Sequence, residues 1–359
     1  MSLENVQDKV LAECSPIDLP TVNRADEMLC DATAALPRKI SPALKDRVLA
    51  FKFGGTSLLG SQRMLQAAAL VREAGQTSKV IVVVSAMKGV TDHLLSITQA
   101  LAAGKLTHAR SEAEVIVNSH LHVLEDLNLA EEENLRVRRE FQLLCRALLH
   151  EIPAQGQVAA SAELSDRLAS FGERFSSRLF AVALEKSGVA AVPVTSSDFV
   201  LTCENFRNAK PHLEKTRQRG RQILLPLLEE GIVPVVTGFI GATPDGRITT
   251  LGRNSSDFSG AIIAHVMDAD ELVIWTDVDG IFNVNPAQSR EAQLLHELSY
   301  DEAQAIAANG AKVLHTQVLP LAAETQMVVW VRNTFNPHAR GTRIGPGSRT
   351  SKLQPGGAA

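Results

Sequence analysis

The segment Lys52-Phe-Gly-Gly-Thr-Ser57 combines one cation, two glycines and two hydroxyls, the groups that bind an anion. Glycines permit positive φ and a close approach of the backbone, so N–H groups and the Thr56 and Ser57 hydroxyls can face a phosphate to which Lys52 adds a charge. The lysine precedes the glycines and the G-x-x-x-x-G-K spacing is absent, so this is not a Walker A loop. A Gly-Gly pair is also an ordinary tight turn, so the segment alone is only a candidate phosphate site.

Two further segments place small, hydroxylated or charged residues at the end of a predicted strand or the start of a predicted helix. Ser85–Thr91 follows the second strand, at the edge of an open α/β sheet where ligands bind. Thr250–Asp257 leads into a helix, for which Ser255 is a plausible N-cap. Arg253 is harder to explain by structure alone, because a guanidinium before a helix start matches the planar fork of a carboxylate or phosphate.

Acidic and basic side chains later in the chain each have two interpretations. In Asp277-Val-Asp-Gly280, the carboxylates of Asp277 and Asp279 could hold a nucleotide hydroxyl or a metal-bound water, although D-x-D-G is also a frequent turn. In Gly310–His315, Lys312 could reach a phosphate, although a lysine in such a position is more often solvated.

Glu173 lies in Phe171-Gly-Glu-Arg174, inside a predicted helical run with apolar residues on both sides. Either it is an exposed carboxylate paired with Arg174 or Arg178, or it is a buried carboxylate that faces the ammonium group of a ligand. The sequence leaves both interpretations open.

The elements that must position these residues alternate between strand and helix, the pattern of an α/β protein with a mostly parallel sheet. The predicted strands are Val48–Phe53, Lys79–Ser85, Ala190–Thr195, Ile232–Gly238, Glu271–Thr276 and Met327–Arg332. The predicted helices are Ser61–Ala74, Leu164–Ser187, Leu213–Glu230, Ser255–Met267 and Tyr300–Val313, with further peripheral helices within 108–150.

A turn motif and a lobe boundary can also be predicted from the sequence. Thr243-Pro-Asp-Gly-Arg247 predicts a hairpin turn, and we expect a boundary between two lobes near Pro234. The predicted organisation is an N-terminal extension (1–47), two lobes (48–234 and 235–345) and a disordered tail (346–359).

Composition excludes several classes of protein. The 359 residues are 45% hydrophobic and carry a formal net charge of −4, so no global positive field is available for a nucleic-acid backbone. The longest branched apolar run, Val80–Val84, is far shorter than the roughly twenty residues of a membrane-spanning helix. The four cysteines are far apart and lack metal-ligand spacing, and no secretory signal precedes them, so we expect a cytoplasmic protein with reduced thiols.

Taken together and in order, the segments resemble the catalytic part of the aspartokinases, within the amino-acid kinase fold, over residues 48–345. The similar segments are Lys52–Ser57 (K-F-G-G-T-S), Ser85–Thr91, Phe171–Arg174 (F-G-E-R), Leu251–Asp257 (L-G-R-G-G-S-D), Trp275–Gly280 (W-T-D-V-x-G) and Gly310–His315 (G-A-K-V-L-H). The resemblance implies a three-layer αβα sandwich in which an amino-acid-binding lobe (48–234) precedes an ATP-binding lobe (235–345). Family members commonly carry regulatory ACT domains after the kinase part, and we expect none here.

The resemblance also implies an activity: phosphorylation of the β-carboxylate of L-aspartate by Mg²⁺-ATP to give 4-phospho-L-aspartate, the first step in lysine, threonine and methionine biosynthesis. The Mg²⁺ would be held mainly by the ATP phosphates, with no metal site built from protein residues. The implied catalytic residues are Lys52, Asp257 and Lys312. The implied substrate-binding residues are Ser85, Thr91, Glu173 and Arg253. The implied ATP-binding residues are Gly54, Gly55, Ser57, Thr276, Asp277 and Asp279.

Several positions depart from the family pattern. Asn254 and Ser255 stand where the family usually has Gly-Gly, Asn285-Pro-Ala287 where it has Asp-Pro-Arg, and Thr316 where it has proline. These changes leave the acceptor open: acetylglutamate, glutamate, carbamate or UMP are alternatives on the same fold. A non-catalytic ligand-binding subunit is a second alternative. A dinucleotide-dependent dehydrogenase is disfavoured, because no G-x-G-x-x-G follows any predicted strand. A homodimer or a fusion or subunit partner also stays open.

Overall fold

Alternating strands and helices build the computed structural model, which describes residues 47–156, 158–284, 289, 291–308 and 314–346. Its strands are β1 (Val48–Phe53), β2 (Lys79–Val84), β3 (Ala191–Val194), β4 (Val233–Thr237), β5 (Ile240–Ala242), β6 (Ile248–Thr250), β7 (Glu271–Thr276), β8 (Ile281–Phe282), β9 (Leu294–Leu295), β10 (Glu297–Leu298), β11 (Val328–Asn333) and β12 (Thr342–Ile344). Its helices are α1 (Ser61–Ala74), α2 (Val90–Ala102), α3 (Leu106–Asp126), α4 (Glu131–His150), α5 (Ala162–Ala169), α6 (Phe171–Lys186), α7 (Leu213–Glu229), α8 (Ser256–Val266), α9 (Tyr300–Ala308) and α10 (Val318–Thr325), with a 3₁₀ helix at Ser196–Asp198.

Eight strands form the central sheet, in the order β10-β12-β11-β7-β1-β2-β4-β3. The pairs from β11 to β3 are all parallel, with Lys52 opposite Val83 on one side and Ile274 on the other. β12 runs antiparallel to β11, and β10 runs parallel to β12. The mostly parallel sheet predicted from the sequence is therefore confirmed, with an antiparallel edge.

Helices cover both faces of this sheet, which is why strands such as β2 and β4 are apolar almost throughout. On one face α1 and α6 pack over a core that includes Phe53 and Phe180, whose ring centroids lie 5.3 Å apart. On the other face α7, α8 and α10 cover a second core, which includes Ile81, Ile262 and Val329. The three-layer architecture is thus an arrangement of two apolar cores separated by one sheet.

Most predicted boundaries agree with the structure to within two residues, but one predicted helix is wrong. The run Leu164–Ser187 forms two helices, α5 and α6, which meet at Ser170. Ser170 keeps helical dihedral angles, but its hydroxyl donates to the Arg167 carbonyl at 2.7 Å. Such back-bonding competes with the main-chain ladder and bends helices.

Three predictions about other parts of the chain have different outcomes. The hairpin is confirmed: β5 and β6 are antiparallel, and the turn between them has Gly246 at φ 88°. The peripheral helices predicted within 108–150 are α3 and α4. Pro234 lies inside β4, and the two-lobe division stays a prediction. Residues 1–46 of the predicted extension, 347–359 of the tail and 309–313 at the end of the predicted helix Tyr300–Val313 lie outside the described residues.

Within the described ranges, every helix is too short or too polar to cross a lipid bilayer.

Candidate active site

The carboxyl ends of β1, β2 and β7 open into a cavity of about 660 Å³. Parallel strands end at the same edge of a sheet, so the loops that follow them converge there, as in other open α/β folds. Among the residues that line the cavity are eight of the predicted site residues: Lys52, Gly55, Ser85, Thr91, Glu173, Arg253, Asp257 and Thr276.

Lys52 and Asp257 form a buried ion pair on the floor of the cavity. Lys52 is the fifth residue of β1, and Asp257 lies in the first turn of α8, which packs across β1. The Lys52 Nζ lies 2.7 Å from Asp257 Oδ1, and the two side chains are only 10% and 14% exposed. A buried ammonium group needs such a partner because removal of a charge from water is costly. Asp257 therefore orders the amino group at the cavity floor.

The glycines after β1 let two loops approach closely. A Cβ at Gly55 would lie 2.5 Å from the Ala86 carbonyl oxygen, and the Lys88 N–H donates to the Gly55 carbonyl at 3.2 Å. Only glycine fits at position 55, so the first loop and the Ser85–Thr91 loop form one unit. Gly54 does not line the cavity, although its N–H donates to the Trp275 carbonyl and a Cβ there would lie 3.7 Å from Lys52 Nζ.

Glu173 is buried at the cavity wall, so the interpretation as an exposed carboxylate paired with Arg174 or Arg178 is wrong. Its Oε1 accepts a hydrogen bond from the Ala86 N–H at 3.0 Å, whereas its Oε2 has no hydrogen-bond partner among the described residues. Burial raises the pKa of Glu173 to about 8, against the opposing effects of the bond from Ala86 and the charge of Lys52. An unpaired buried carboxyl oxygen beside a cavity suits a ligand with a cationic donor.

The segment Thr250–Asp257 presents Arg253 at the mouth of the cavity. The Arg253 side chain is 79% exposed, and its Nη2 lies 3.3 Å from Asp92 Oδ1 at the start of α2. Asn254, one of the departures from the family pattern, has φ 61°. Asparagine tolerates this left-handed conformation better than most residues, so the substitution retains the backbone that a glycine would adopt. Ser255 is fully buried, and its side chain does not cap α8 as predicted.

Besides Gly54, three predicted nucleotide-binding residues do not line the cavity. Ser57 is fully buried, with its hydroxyl 2.7 Å from that of Thr334. Asp279 accepts hydrogen bonds from the side-chain amides of Asn333 and Asn336, which join the loop after β7 to the end of β11. Asp277 lies next to Thr276, whose hydroxyl donates to its carboxylate at 3.3 Å.

Sequence reasoning missed Asp166, a buried carboxylate of α5 that lines the cavity. Its Oδ2 accepts from the N–H groups of Arg207 and Thr250, both at 2.8 Å, and its Oδ1 accepts from the Thr250 hydroxyl at 2.8 Å. Burial raises the pKa of Asp166, and these hydrogen bonds oppose the rise. The signal in the sequence was an aspartate on the apolar side of a predicted helix, close before Glu173.

The predicted site residue Lys312 and the departures at 285–287 lie outside the described residues, as do two of the four cysteines, Cys14 and Cys30. Cys145 and Cys203 are free thiols. In the ranges that the structure describes, no three His, Cys, Asp or Glu side chains are grouped so that they could hold a metal ion.

The fold and the cavity define a class of α/β protein in which loops at one sheet edge surround a charged floor. The family model described as "Amino acid kinase family" matches residues 47–333, which is most of the chain. The chain therefore belongs to the amino acid kinase family.

Aspartokinases are among its most similar relatives. Lysine-sensitive aspartokinase 3 of Escherichia coli is 32% identical over 300 residues, which cover 83% of this chain and 64% of the relative. Aspartokinase 1, chloroplastic, of Arabidopsis thaliana is 32% identical over 300 residues, which cover 82% of this chain and 51% of the relative. The crystal structure of E. coli aspartokinase III in complex with aspartate and ADP superposes with a TM-score of 0.77 at 31% identity, over 85% of this chain and 65% of that chain.

These comparisons confirm the resemblance to aspartokinases and the amino-acid kinase fold predicted from the sequence. The chain spans about one half to two thirds of the length of the relatives that it matches.

Proposed function

We propose that the chain transfers the γ-phosphoryl group of ATP to the β-carboxylate of L-aspartate, which gives 4-phospho-L-aspartate and ADP. The observation that carries this proposal is the cavity floor, where the buried Lys52–Asp257 pair and the unpaired Glu173 oxygen face the same space. The similarity to an aspartokinase solved with aspartate and ADP supports the choice of substrates.

Each side of the acceptor has a complementary group in this proposal. Glu173 accepts from the α-ammonium group of aspartate, and Arg253 exchanges Asp92 for the α-carboxylate. Thr91 and Ser85 add hydroxyls on the same wall of the cavity. The β-carboxylate then points to the floor, where Lys52 is held by Asp257.

The reaction needs charge neutralisation rather than a general base. A free aspartate side chain has a pKa of about 3.9, so the nucleophile is already ionised at neutral pH. Its approach to an anionic phosphate is opposed by repulsion, and phosphoryl transfer is catalysed mainly by positioning and electrostatic stabilisation. Lys52 lowers that repulsion, and Lys312 is proposed to supply a second positive charge.

The nucleotide is proposed to lie along the Gly54–Gly55 backbone, with Thr276 and Asp277 beside it. Ser57 and Asp279, whose side chains already bond to Thr334, Asn333 and Asn336, would hold the surrounding loops rather than contact the nucleotide. Gly54 and Gly55 carry no side chains, so a phosphate could approach the backbone of this loop closely. The cavity is lined by residues of both proposed lobes, 48–234 and 235–345, and each proposed ligand would take groups from both of them.

The acidic side chains near the cavity fit a Mg²⁺ ion that arrives on the nucleotide. Asp257 is paired with Lys52, and Asp279 accepts from two amides, so neither is a free metal ligand. Mg²⁺ commonly keeps several waters and binds substrate phosphates rather than a cage of protein ligands. When bound, it would neutralise part of the negative charge of the phosphates.

Hydroxylamine trapping tests the proposal, because hydroxylamine converts an acyl phosphate into a hydroxamate that can be quantified. Purified chain with Mg²⁺-ATP should form the hydroxamate with aspartate and should not with glutamate, acetylglutamate, carbamate or UMP. Lys52→Ala serves as the inactive variant. Lys215→Ala, which removes an exposed cation of α7, serves as the matched active control.

The outcome also separates the alternatives. If ADP is released with another acceptor of the panel and not with aspartate, that acceptor is the substrate. Calorimetric binding of ATP and aspartate without hydroxamate or ADP would instead identify a non-catalytic ligand-binding subunit.

A further inference from the structure

Arg207 has a backbone conformation that few arginines adopt. It lines the cavity with φ 68°, in the left-handed region that glycine and asparagine occupy more readily. Non-glycine residues persist in this region where the surroundings fix the backbone, and they concentrate at functional sites.

The contact that fixes this backbone does not use the arginine side chain. The buried Asp166 carboxylate accepts from the Arg207 N–H at 2.8 Å, and the same oxygen accepts from the Thr250 N–H. Any residue except proline would donate the same hydrogen bond, and glycine would do so without strain. The fold therefore gives no reason for an arginine at position 207.

The Arg207 guanidinium forms no ion pair with a carboxylate of the described residues. The positive charge of the Arg207 guanidinium opposes the burial-induced rise in the pKa of Asp166, but the Asp166 carboxylate already accepts three hydrogen bonds from other groups. Exposed arginines without a partner are ordinary on a protein surface, but this one faces a cavity whose proposed ligand is anionic.

Arg207 and Arg253 are carried by segments that pack directly on each other. A Cβ at Gly252 would lie 3.1 Å from Asn208 Oδ1 and 3.7 Å from the Arg207 carbonyl oxygen. The Ala209 N–H also donates to the Thr250 carbonyl at 2.9 Å. Both arginines are among the residues that line the same cavity, so its lining carries two guanidinium groups of the kind that bind carboxylates.

We propose that Arg207 is a specificity-determining residue which, together with Arg253, binds the α-carboxylate of the amino-acid acceptor. This inference rests on the proposed function, since it takes an amino acid as the acceptor. Glu173 would then recognise the ammonium group, and the two arginines the carboxylate, of the same α-carbon. The unfavourable backbone conformation of Arg207 would be retained because its side chain lets the site distinguish free amino acids from analogues that lack the α-carboxylate.

Arg207→Gly tests this role without a folding defect, because glycine suits φ 68°. We expect its KM for aspartate to rise about tenfold while its kcat stays within about twofold of the wild type. Arg207→Lys should recover part of the loss. The matched control is Gln326→Gly, which makes the same backbone change at an exposed residue with φ 55° at the end of α10 and should leave both constants unchanged.

A second substrate isolates the group that Arg207 binds. The α-carboxamide of aspartate keeps the β-carboxylate and the ammonium group, so its KM relative to that of aspartate measures recognition of the α-carboxylate. We expect this ratio to be about tenfold smaller in Arg207→Gly than in the wild type. An unchanged ratio, or an unchanged KM for aspartate, would overturn the inference.

Calorimetry with the full chain and a non-hydrolysable ATP analogue separates this inference from the proposed function. Arg207-dependent binding of aspartate without phosphorylation would overturn the proposed function and support the role of Arg207. If the chain phosphorylates aspartate and Arg207→Gly has no effect, the proposed function is supported and the role of Arg207 is overturned. If the wild type neither binds nor phosphorylates aspartate, both proposals are wrong.

Discussion

The floor and the mouth of the cavity each hold one ion pair, and the two pairs differ in burial. Lys52 and Asp257 on the floor lie 2.7 Å apart with side chains 10% and 14% exposed, whereas Arg253 and Asp92 at the mouth lie 3.3 Å apart and are 79% and 76% exposed. A buried pair is strongly coupled and fixed in place, while an exposed pair contributes about 0–1 kcal/mol and can exchange its partner. We therefore propose that the floor takes part in the chemistry and that the mouth binds the ligand.

The largest effect is expected at the floor, from Lys52→Ala. Loss of the amino group removes a positive charge that the proposed reaction needs, so kcat should fall by about 10⁴-fold with a smaller change in KM. Steady-state kinetics with Mg²⁺-ATP and aspartate measures both. Turnover at the wild-type rate would refute the role of Lys52.

The same substitution leaves Asp257 buried without its partner, so the stability of the variant must be measured too. The double variant Lys52→Ala/Asp257→Asn should recover the stability lost in Lys52→Ala but none of the activity. Denaturant unfolding of both variants separates the two effects.

Glu173→Gln should be the next largest change, and its effect on stability depends on pH. The pKa of Glu173 is about 8 in the folded protein, above its ordinary value of 4.5, so the folded state retains a proton that the unfolded state releases. Wild-type stability should therefore fall as pH rises from 4.5 to 8 and level off above that, with a total loss of at most about 5 kcal/mol from this group.

Glutamine does not titrate, so Glu173→Gln should not show this pH-dependent loss of stability. Its side-chain oxygen can still accept from the Ala86 N–H. The difference in free energy of unfolding between Glu173→Gln and the wild type should grow between pH 5 and 8, as measured by urea unfolding at each pH. A pH-independent difference would show that Glu173 is not protonated in the folded chain. The same variant should raise the KM for aspartate, because its amide carries no negative charge to attract the ammonium group.

Asp166→Asn tests a position between floor and mouth. An asparagine at 166 cannot accept all three hydrogen bonds from Arg207 and Thr250, so at least one buried donor loses its partner. Such a loss costs about 1–3 kcal/mol of unfolding free energy. Thermal unfolding gives the measurement, and Asp245→Asn, in the exposed hairpin turn, provides a control that should shift the Tm far less.

At the mouth, Arg253→Ala should act on ligand binding rather than on the fold. We expect the KM for aspartate to rise about tenfold to thirtyfold, while Tm and kcat stay close to the wild-type values. An unchanged KM would remove Arg253 from the acceptor site and weaken the contrast between floor and mouth.

The smallest effect is expected from Asp92→Asn, the other member of the exposed pair. The free energy of unfolding should change by less than about 0.5 kcal/mol, and KM for aspartate should fall slightly because Arg253 loses a competing anion. A large loss of stability would show that the exposed pair is structural and would remove the distinction between the two regions.

Sequence reasoning succeeded where the chemistry is local. The predicted boundaries of β1 and β7 agree with the structure to the residue, because their apolar runs end in glycine, threonine or aspartate. The antiparallel edge β12 was missed because three residues carry too little periodicity to be recognised.

Sequence reasoning failed where a contact joins residues that are distant in the chain. Asp166 acquires its role from Thr250 and Arg207, which are 84 and 41 positions away in the sequence. The burial of Glu173 could not be decided either, because it depends on the Ala86 loop that closes over α6. The break at Ser170 depends on one hydroxyl in a run that otherwise looks helical.

The contact of Gly55 with the Ala86 carbonyl has a consequence for how this protein tolerates mutation. Even one methyl group at position 55 would push apart the loops that follow β1 and β2, whereas Gly60 has open space around the position of its missing Cβ and needs glycine only for its φ of 88° and ψ of 162°. A saturation library should therefore be almost empty at both residues, because a side chain at 55 has no room and only glycine readily adopts the backbone conformation of residue 60. Two glycines five positions apart would then be under selection for unrelated reasons, one for volume and the other for a dihedral angle.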